Sequence, residues 1–359
     1  MSQRAEPRLE IAFEGRAIGP GQPCFILAEV GINHNGDPDM AMAMVDAIAD
    51  AGADGVKFQT FNAEEFCNGP DEMYEYVSQG KVVKESMLEM FKRLELAREE
   101  FARLFRRARE RRLIPLSTPT DRAAVDLLET LGAGAFKIGS DDLVYSPFLD
   151  YVARKGRPII LSTGMADETD TARAVSRIRA AGNERLILLH CVSEYPAPDA
   201  SLNLRKMTAL AERFGTLVGY SDHSIGSTAA AAAVTLGACM IEKHFTLDHG
   251  LPGPDHRFSS DPSELKELVE VVRRVEKSLG QAELVPTAAE REMALLARRS
   301  IVAARDIPRG HLLSDDDLAY RRPGTGLMPY ERERIVGRRA RQPIAAGTAI
   351  SLSQIESGS

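Results

Sequence analysis

From Cys24 onward the chain repeats one unit: an apolar strand, a polar loop, an amphipathic helix, and a glycine that ends the helix by accepting the left-handed conformation. Residues 24–29 read as the first strand, and the helix after Asp37-Pro38 stops at Gly52. Residues 55–59 form the second, followed by a long polar insertion and a charged helix over about 98–112. Further strands are expected at 113–117, 135–139, 158–162, 186–190, 216–220 and 238–243, with intervening helices ending at Gly132, Gly156, Gly182, Gly215 and Gly237. The last helix is the best marked, with Asp261 as N-cap, Pro262 in its first turn, Glu264 in capping-box position and Gly280 as stop. Alternating units of this length imply an α/β protein with a parallel sheet, and eight of them imply a closed (β/α)8 TIM barrel of about 250 residues.

What flanks the repeat is different. Residues 9–18 alternate around Glu14-Gly15-Arg16, the pattern of an N-terminal β-hairpin. After Gly280 comes a connector, 281–297, rich in Ala and Glu, and then short β-like pieces separated by Pro308-Arg-Gly310, Arg322-Pro-Gly-Thr-Gly326 and Ala346-Gly-Thr348. We expect a barrel domain over 1–280, a linker over 281–297 and a small β-rich domain over 298–359, roughly the sixty residues that an independent module needs.

A net charge of -7 argues against a nucleic-acid partner, because binding by counterion release needs a basic face. The polar start and the lack of any apolar run approaching the ~20 residues of a membrane span predict a cytoplasmic protein with no membrane partner. Cys24, Cys67, Cys191 and Cys239 are scattered without a Cys-x-x-Cys pair, so reduced thiols are expected.

In such a barrel, chemistry is built at the C-terminal ends of the strands. Strand one ends in Glu29, strand two carries Lys57 and Gln59 on one face, and strand three ends in Ser117-Thr118. Strand four offers Lys137, Ser140 and Asp142; strand five Ser162 and Gly164; strand six His190, Ser193 and Tyr195. Strand seven ends in Ser221 and His223, and strand eight in Glu242 and His244. Lysine is costly to bury without an anion, so Lys57 and Lys137 facing one lumen suggest a phosphate, cradled by the hydroxyls of Ser117, Thr118, Ser140 and Ser162. Either histidine alone reads most simply as a hydrogen-bonded core residue. At the ends of adjacent strands, however, His223 and His244 can share a divalent metal. A phosphate cradle beside a metal suggests two substrates and a reaction that makes or breaks a carbon–carbon bond.

Six stretches together resemble the N-acetylneuraminate (sialic acid) synthase family: Glu29-Val-Gly-Ile-Asn-His-Asn-Gly36, Val56-Lys-Phe-Gln-Thr60, Phe136-Lys-Ile-Gly-Ser140, Ile160-Leu-Ser-Thr-Gly-Met165, Gly219-Tyr-Ser-Asp-His223 and Ile241-Glu-Lys-His-Phe-Thr246. The tail around Arg322-Pro-Gly-Thr-Gly326 resembles the antifreeze-like (SAF) domain of those enzymes, so the likeness covers essentially the whole chain. It implies a transferase that condenses phosphoenolpyruvate with an open-chain N-acetylated hexosamine, giving a nonulosonic acid and phosphate. It also implies Mn2+ or Mg2+ on His223 and His244.

By motif position, the resemblance assigns phosphoenolpyruvate to Lys57, Thr118, Lys137, Ser140, Ser162 and Ser193, and the sugar to Glu29, Gln59, Tyr195 and Asp255, with Ser221 among the substrate contacts. Glu29, Lys57, Asp142 and Glu242 are the implied catalytic groups. Arg322 would reach a neighbouring subunit's barrel in a domain-swapped homodimer. Asp142 stands where the family commonly has Glu, Ser193 replaces an Asn, and Thr325 stands where Asn is frequent. These departures leave open an N-acetylmannosamine acceptor or the 2,4-diacetamido-6-deoxyhexose of a legionaminate- or pseudaminate-type synthase. A metal-dependent aldolase and a non-catalytic sugar-binding protein of the same fold are the readings from other classes.

Overall fold

A computed structural model describes residues 10–356; the polar N-terminal segment and Leu9 of the expected hairpin lie outside the described residues. The chain forms two compact units, Met1–Gly280 and Gln281–Ser359.

The first unit opens with the expected hairpin, β1 (Ile11–Phe13) paired antiparallel with β2 (Arg16–Ile18). The barrel strands follow, beginning with β3 (Phe25–Gly31) and β4 (Gly55–Thr60). Between β4 and the next barrel strand lies a second hairpin, β5 (Met73–Ser78) and β6 (Lys81–Ser86), which the polar insertion did not reveal. The barrel continues through β7 (Ile114–Pro119), β8 (Phe136–Ile138), β9 (Ile159–Ser162), β10 (Leu186–Cys191), β11 (Leu217–Asp222) and β12 (Met240–His244). Their spatial order is β7-β4-β3-β12-β11-β10-β9-β8, all parallel, and β7 and β8 lie alongside each other to bring the two edges together. The protein is thus a (β/α)8 barrel, as the repeat predicts.

Strict alternation along each strand assigns every side chain to one of two layers. Phe25, Leu27, Leu116, Ile160, Ile187, Leu189, Leu217 and Met240 fill the lower lumen together with Ile11, Phe13 and Ile18 of the first hairpin. Phe13 meets Phe25 edge to face at 5.6 Å, so the hairpin plugs the N-terminal end of the barrel. Ala28, Val30, Val56, Phe58, Phe136, Ile138, Leu161 and Leu188 point the other way and bury against the helices. At the level above the plug the inward positions turn polar, and there the candidate site begins.

Helix ends obey local rules. Asp37 caps Pro38–Ala51 by accepting from the amides of Asp39 and Met40, and Asp261 with Glu264 forms the expected capping box of Pro262–Leu279. Among the described residues no helix is long and apolar enough to cross a membrane.

The second unit has its own small core, with Ile301, Ile307, Leu313, Ile335, Ile344 and Ile350 at its centre. Its strands β13 (Ser300–Ala303) and β14 (Leu318–Arg321) pair antiparallel, and isolated bridges such as Ile307 with Ile344 complete a β-rich module. Within the stretch expected to be a connector, Ala288–Ala297 forms a helix that belongs to this unit, with a Thr287/Glu290 capping box.

At the mouth of the barrel Gly36 has φ +75°, and a methyl group there would lie 2.2 Å from the backbone oxygen of Arg93. Neither the conformation nor the contact can relax cheaply. Gly36→Ala should therefore lose about 2–4 kcal/mol of stability, read as a lower urea midpoint with unchanged slope.

Candidate active site

Four buried charges occupy the centre of the barrel above its apolar plug. Lys57 Nζ on β4 lies 2.7 Å from Glu29 Oε2 on β3, 3.9 Å from Glu242 Oε2 on β12, and donates to Thr118 Oγ1 on β7 at 2.9 Å. Lys137 Nζ on β8 donates to Ser162 Oγ on β9 at 2.7 Å and lies 3.8 Å from Glu242 Oε1. Ser221 donates to that same Oε1 at 2.9 Å, and Gln59 donates to Glu29 Oε1 at 3.2 Å. The four charged residues are between 1% and 5% exposed, so they can persist only as a mutually neutralising set.

Their titration follows from burial set against partners. Burial pushes Glu29 up to about 7 despite the pull of Lys57. Burial also works to raise Glu242, but Lys137 and Lys57 together hold it below the usual carboxylate range. Lys57 stays above its ordinary value because Glu242 and Glu29 outweigh its desolvation, whereas burial leaves Lys137 lowered. Glu242 Oε2 is buried and has no hydrogen-bond partner, which leaves an acceptor free.

Near the end of β9 the chain packs closely around Gly164. The Gly164 amide donates to Ser140 Oγ at 2.9 Å, and a methyl group at Gly164 would lie 2.4 Å from Ser193 Oγ and 2.8 Å from Ser140 Oγ. Only glycine fits between those two hydroxyls. Asp142, two residues beyond Ser140, has a buried Oδ2 without a partner, and burial with help from Asp141 pushes it up to about 7.

Across the mouth, the rings of His223 and His244 lie 5.3 Å apart at the ends of the neighbouring strands β11 and β12. His223 Nδ1 is 2.7 Å from the Val192 carbonyl, to which it donates, so its Nε2 keeps a free lone pair. His244 is half-buried with its Nδ1 buried and unpartnered, and burial followed by the nearness of His223 pushes it well below the usual imidazole range. Two imidazoles with free nitrogens suit a first-row divalent metal. Other ligands would come from water or substrate. The one cluster of three metal-capable side chains among the described residues is His249, Asp261 and Glu264, and there the two carboxylates already cap a helix.

Tyr195, 44% exposed, lies 4.2 Å ring to ring from His223, and Phe258 lies 5.5 Å from His244. Burial pushes Asp255 up to about 6 against the pull of His223. The barrel therefore brings together Glu29, Lys57, Gln59, Thr118, Lys137, Ser140, Asp142, Ser162, Ser193, Tyr195, Ser221, His223, Glu242, His244 and Asp255 around its C-terminal end. Arg322 is an exposed residue of the second unit.

Two sequence expectations fail on strand phase. Ser117 faces the helices, bonded at 2.7 Å to Thr60 Oγ1, and contributes nothing to the cradle. His190 also points outward, with Nε2 2.6 Å from the Leu202 carbonyl and its ring stacked on Tyr220. Other groups escaped sequence reasoning. Asn33 donates to the Phe245 carbonyl and to Ser259, while His256 bonds Thr246 and Asn35, so the loops after β3 and β12 are stitched together. The β5–β6 hairpin joins the same rim, through Gln79 to the Gly250 carbonyl and through the Gly253 amide to Ser78.

Comparison with known proteins finds relatives along most of the chain. The NeuB family pattern matches residues 44–284 and the SAF domain pattern residues 298–356. The N,N'-diacetyllegionaminic acid synthase of Legionella pneumophila is 42% identical over 342 residues, 94% of this chain and 96% of that protein. Human N-acetylneuraminate-9-phosphate synthase is 37% identical over 315 residues, 86% of this chain and 85% of that protein. The crystal structure of the Leptospira borgpetersenii N-acetylneuraminic acid (sialic acid) synthetase in complex with citrate superposes with a TM-score of 0.72 at 35% identity, covering 80% of this chain and 95% of that one.

Gly164→Ala would press its methyl group against Ser193 and Ser140. It should cost about 1–3 kcal/mol of stability, read as a lower urea midpoint with unchanged slope.

Proposed function

Because the chain belongs to the NeuB family of nonulosonic acid synthases and carries their SAF domain, we propose that it is a transferase joining phosphoenolpyruvate to an open-chain N-acetylated hexosamine. The observation that carries this reading is a buried two-lysine cluster and an imidazole pair in one barrel mouth.

In this reading Lys57, Lys137, Thr118, Ser140, Ser162 and Ser193 hold the phosphate and carboxylate of phosphoenolpyruvate. Glu29, Gln59, Tyr195 and Asp255 face the sugar, Ser221 orients Glu242, and Glu242 with its unpartnered oxygen orients water or a sugar hydroxyl. Carbon 3 of phosphoenolpyruvate bonds to the aldehyde carbon, and the aldehyde oxygen takes up a proton. Water adds at carbon 2, Asp142 accepts its proton, and cleavage of the carbon–oxygen bond releases phosphate. A divalent metal on His223 and His244 would supply Lewis-acid polarisation of the aldehyde. Imidazole ligands favour manganese over magnesium, which prefers an all-oxygen shell.

For the acceptor, N-acetylmannosamine is the first reading. A 2,4-diacetamido-6-deoxyhexose is the second, favoured by the 42% identity to a legionaminic acid synthase. Phosphoenolpyruvate is a metabolite of the cytoplasm, and we place the reaction there. Exposed Met293, Leu295 and Leu296 on the helix Ala288–Ala297 support a homodimer in which Arg322 serves the partner's site.

Phosphate release and product mass, followed with phosphoenolpyruvate, Mn2+ and a panel of amino sugars, test the activity. Release with at least one sugar that stops on chelation is expected; no release from folded, metal-loaded protein overturns the reading. Because Asp142 must be ionised to accept a proton, kcat/KM should fall as pH drops below about 7. Asp142→Asn should lose that limb and about 10²-fold in rate. Arg322→Ala should raise the KM for the sugar and leave phosphoenolpyruvate binding unchanged.

A further inference from the structure

The two histidines end the parallel motifs Ser221-Asp222-His223 and Glu242-Lys243-His244, and alternation gives each triplet an inward, an outward and an inward residue. Ser221 pairs with Glu242 in the lumen, and Asp222 pairs with Lys243 on the outer face, in direct register across β11 and β12. Lys243 Nζ lies 2.9 Å from Asp222 Oδ2, with side-chain exposures of 2% and 0%. It also donates to the Ser224 carbonyl, and to that of Gly226 at 3.3 Å. Asp222 Oδ1 accepts from the Ser224 amide at 2.8 Å and from its hydroxyl at 2.6 Å. All three lysine protons and both carboxylate oxygens are used.

Tyr220, Ile241 and Ala230 build the apolar layer next to this pair. A buried ion pair in such surroundings is a poor source of stability, since well-packed apolar residues of similar volume do as well or better. What it does supply is geometry. One ammonium, attached to the residue before His244, grips the residue before His223 and two carbonyls after it. The backbone on both sides of His223 is thereby fixed relative to β12.

We infer that Asp222 and Lys243 form a positioning clip that holds the His223 and His244 rings at metal-binding separation, on the far side of the strands from the chemistry. The inference rests on the metal reading of those histidines. Neither residue touches substrate or metal. Partners of this kind behind metal ligands are worth about 10- to 100-fold in metal affinity.

Removing one member alone strands a buried charge and can cost the fold, so the decisive variant is the double Asp222→Leu/Lys243→Met in the full chain. Its midpoint of thermal unfolding should stay within a few degrees of wild type, and its metal-free affinity for phosphoenolpyruvate should be unchanged, because Lys57 and Lys137 sit on other strands. Its dissociation constant for Mn2+ should rise about 10- to 100-fold. Amide hydrogen exchange at 224–226 should accelerate in the metal-free protein. Asp222→Asn/Lys243→Met, which removes both charges but keeps the contact with Ser224, should recover most of the Mn2+ affinity. Wild-type affinity and exchange in the double variant overturn the clip. A separate control isolates the premise: if His244→Ala binds Mn2+ as wild type does, the metal reading itself fails, and the clip with it.

Discussion

A lysine can be sunk into a protein only when its charge is answered, and in this chain two are answered by the same glutamate. Glu242 lies 3.9 Å from Lys57 with one oxygen and 3.8 Å from Lys137 with the other, while Glu29 takes up Lys57 at 2.7 Å. Two lysines and two glutamates thus share one buried lumen. An incoming anion then meets ammonium groups already aligned, at a site where each interaction is worth far more than in water. The rest of the barrel serves that arrangement. Strands β3, β4, β8 and β12 deliver one charge each, the lower lumen is filled with hydrocarbon, and the outer faces bind the helices that keep the strands in register.

Across the mouth the logic is reversed. His223 and His244 offer imidazole nitrogens, where Lys57 and Lys137 offer ammonium donors. Two regions of opposite demand, one suited to an anion and one to a cation, share one lumen.

The eight-unit repeat was legible in the sequence because helix-ending glycines and apolar strands mark each unit, and the polar strand ends then named most of the site. Lys57 and Gln59 fall on one face by spacing alone. Phase decided the failures. Ser117 and His190 sit one position out of step with the lumen, and a polar residue next to a site looks the same in a sequence whichever way it points. The β5–β6 hairpin and the helix Ala288–Ala297 were read as insertion and connector because charged and exposed residues dominate both, so neither shows a clear apolar period. The Asp222–Lys243 pair was hidden for the opposite reason: residues flanking a histidine draw notice as its helpers, and here they face away from it.

The first hairpin gives the barrel a floor. With Ile11, Phe13 and Ile18 wedged among the lowest lumen residues, nothing the size of a substrate can pass through, and traffic has one doorway. The lysine cluster lies deep and Tyr195 lies at the threshold. A molecule seated on the lysines is therefore shut in by whatever next occupies the threshold, and it leaves only after that occupant has gone. One doorway gives the lumen a single file: whatever lies deepest must cross the threshold both to enter and to leave.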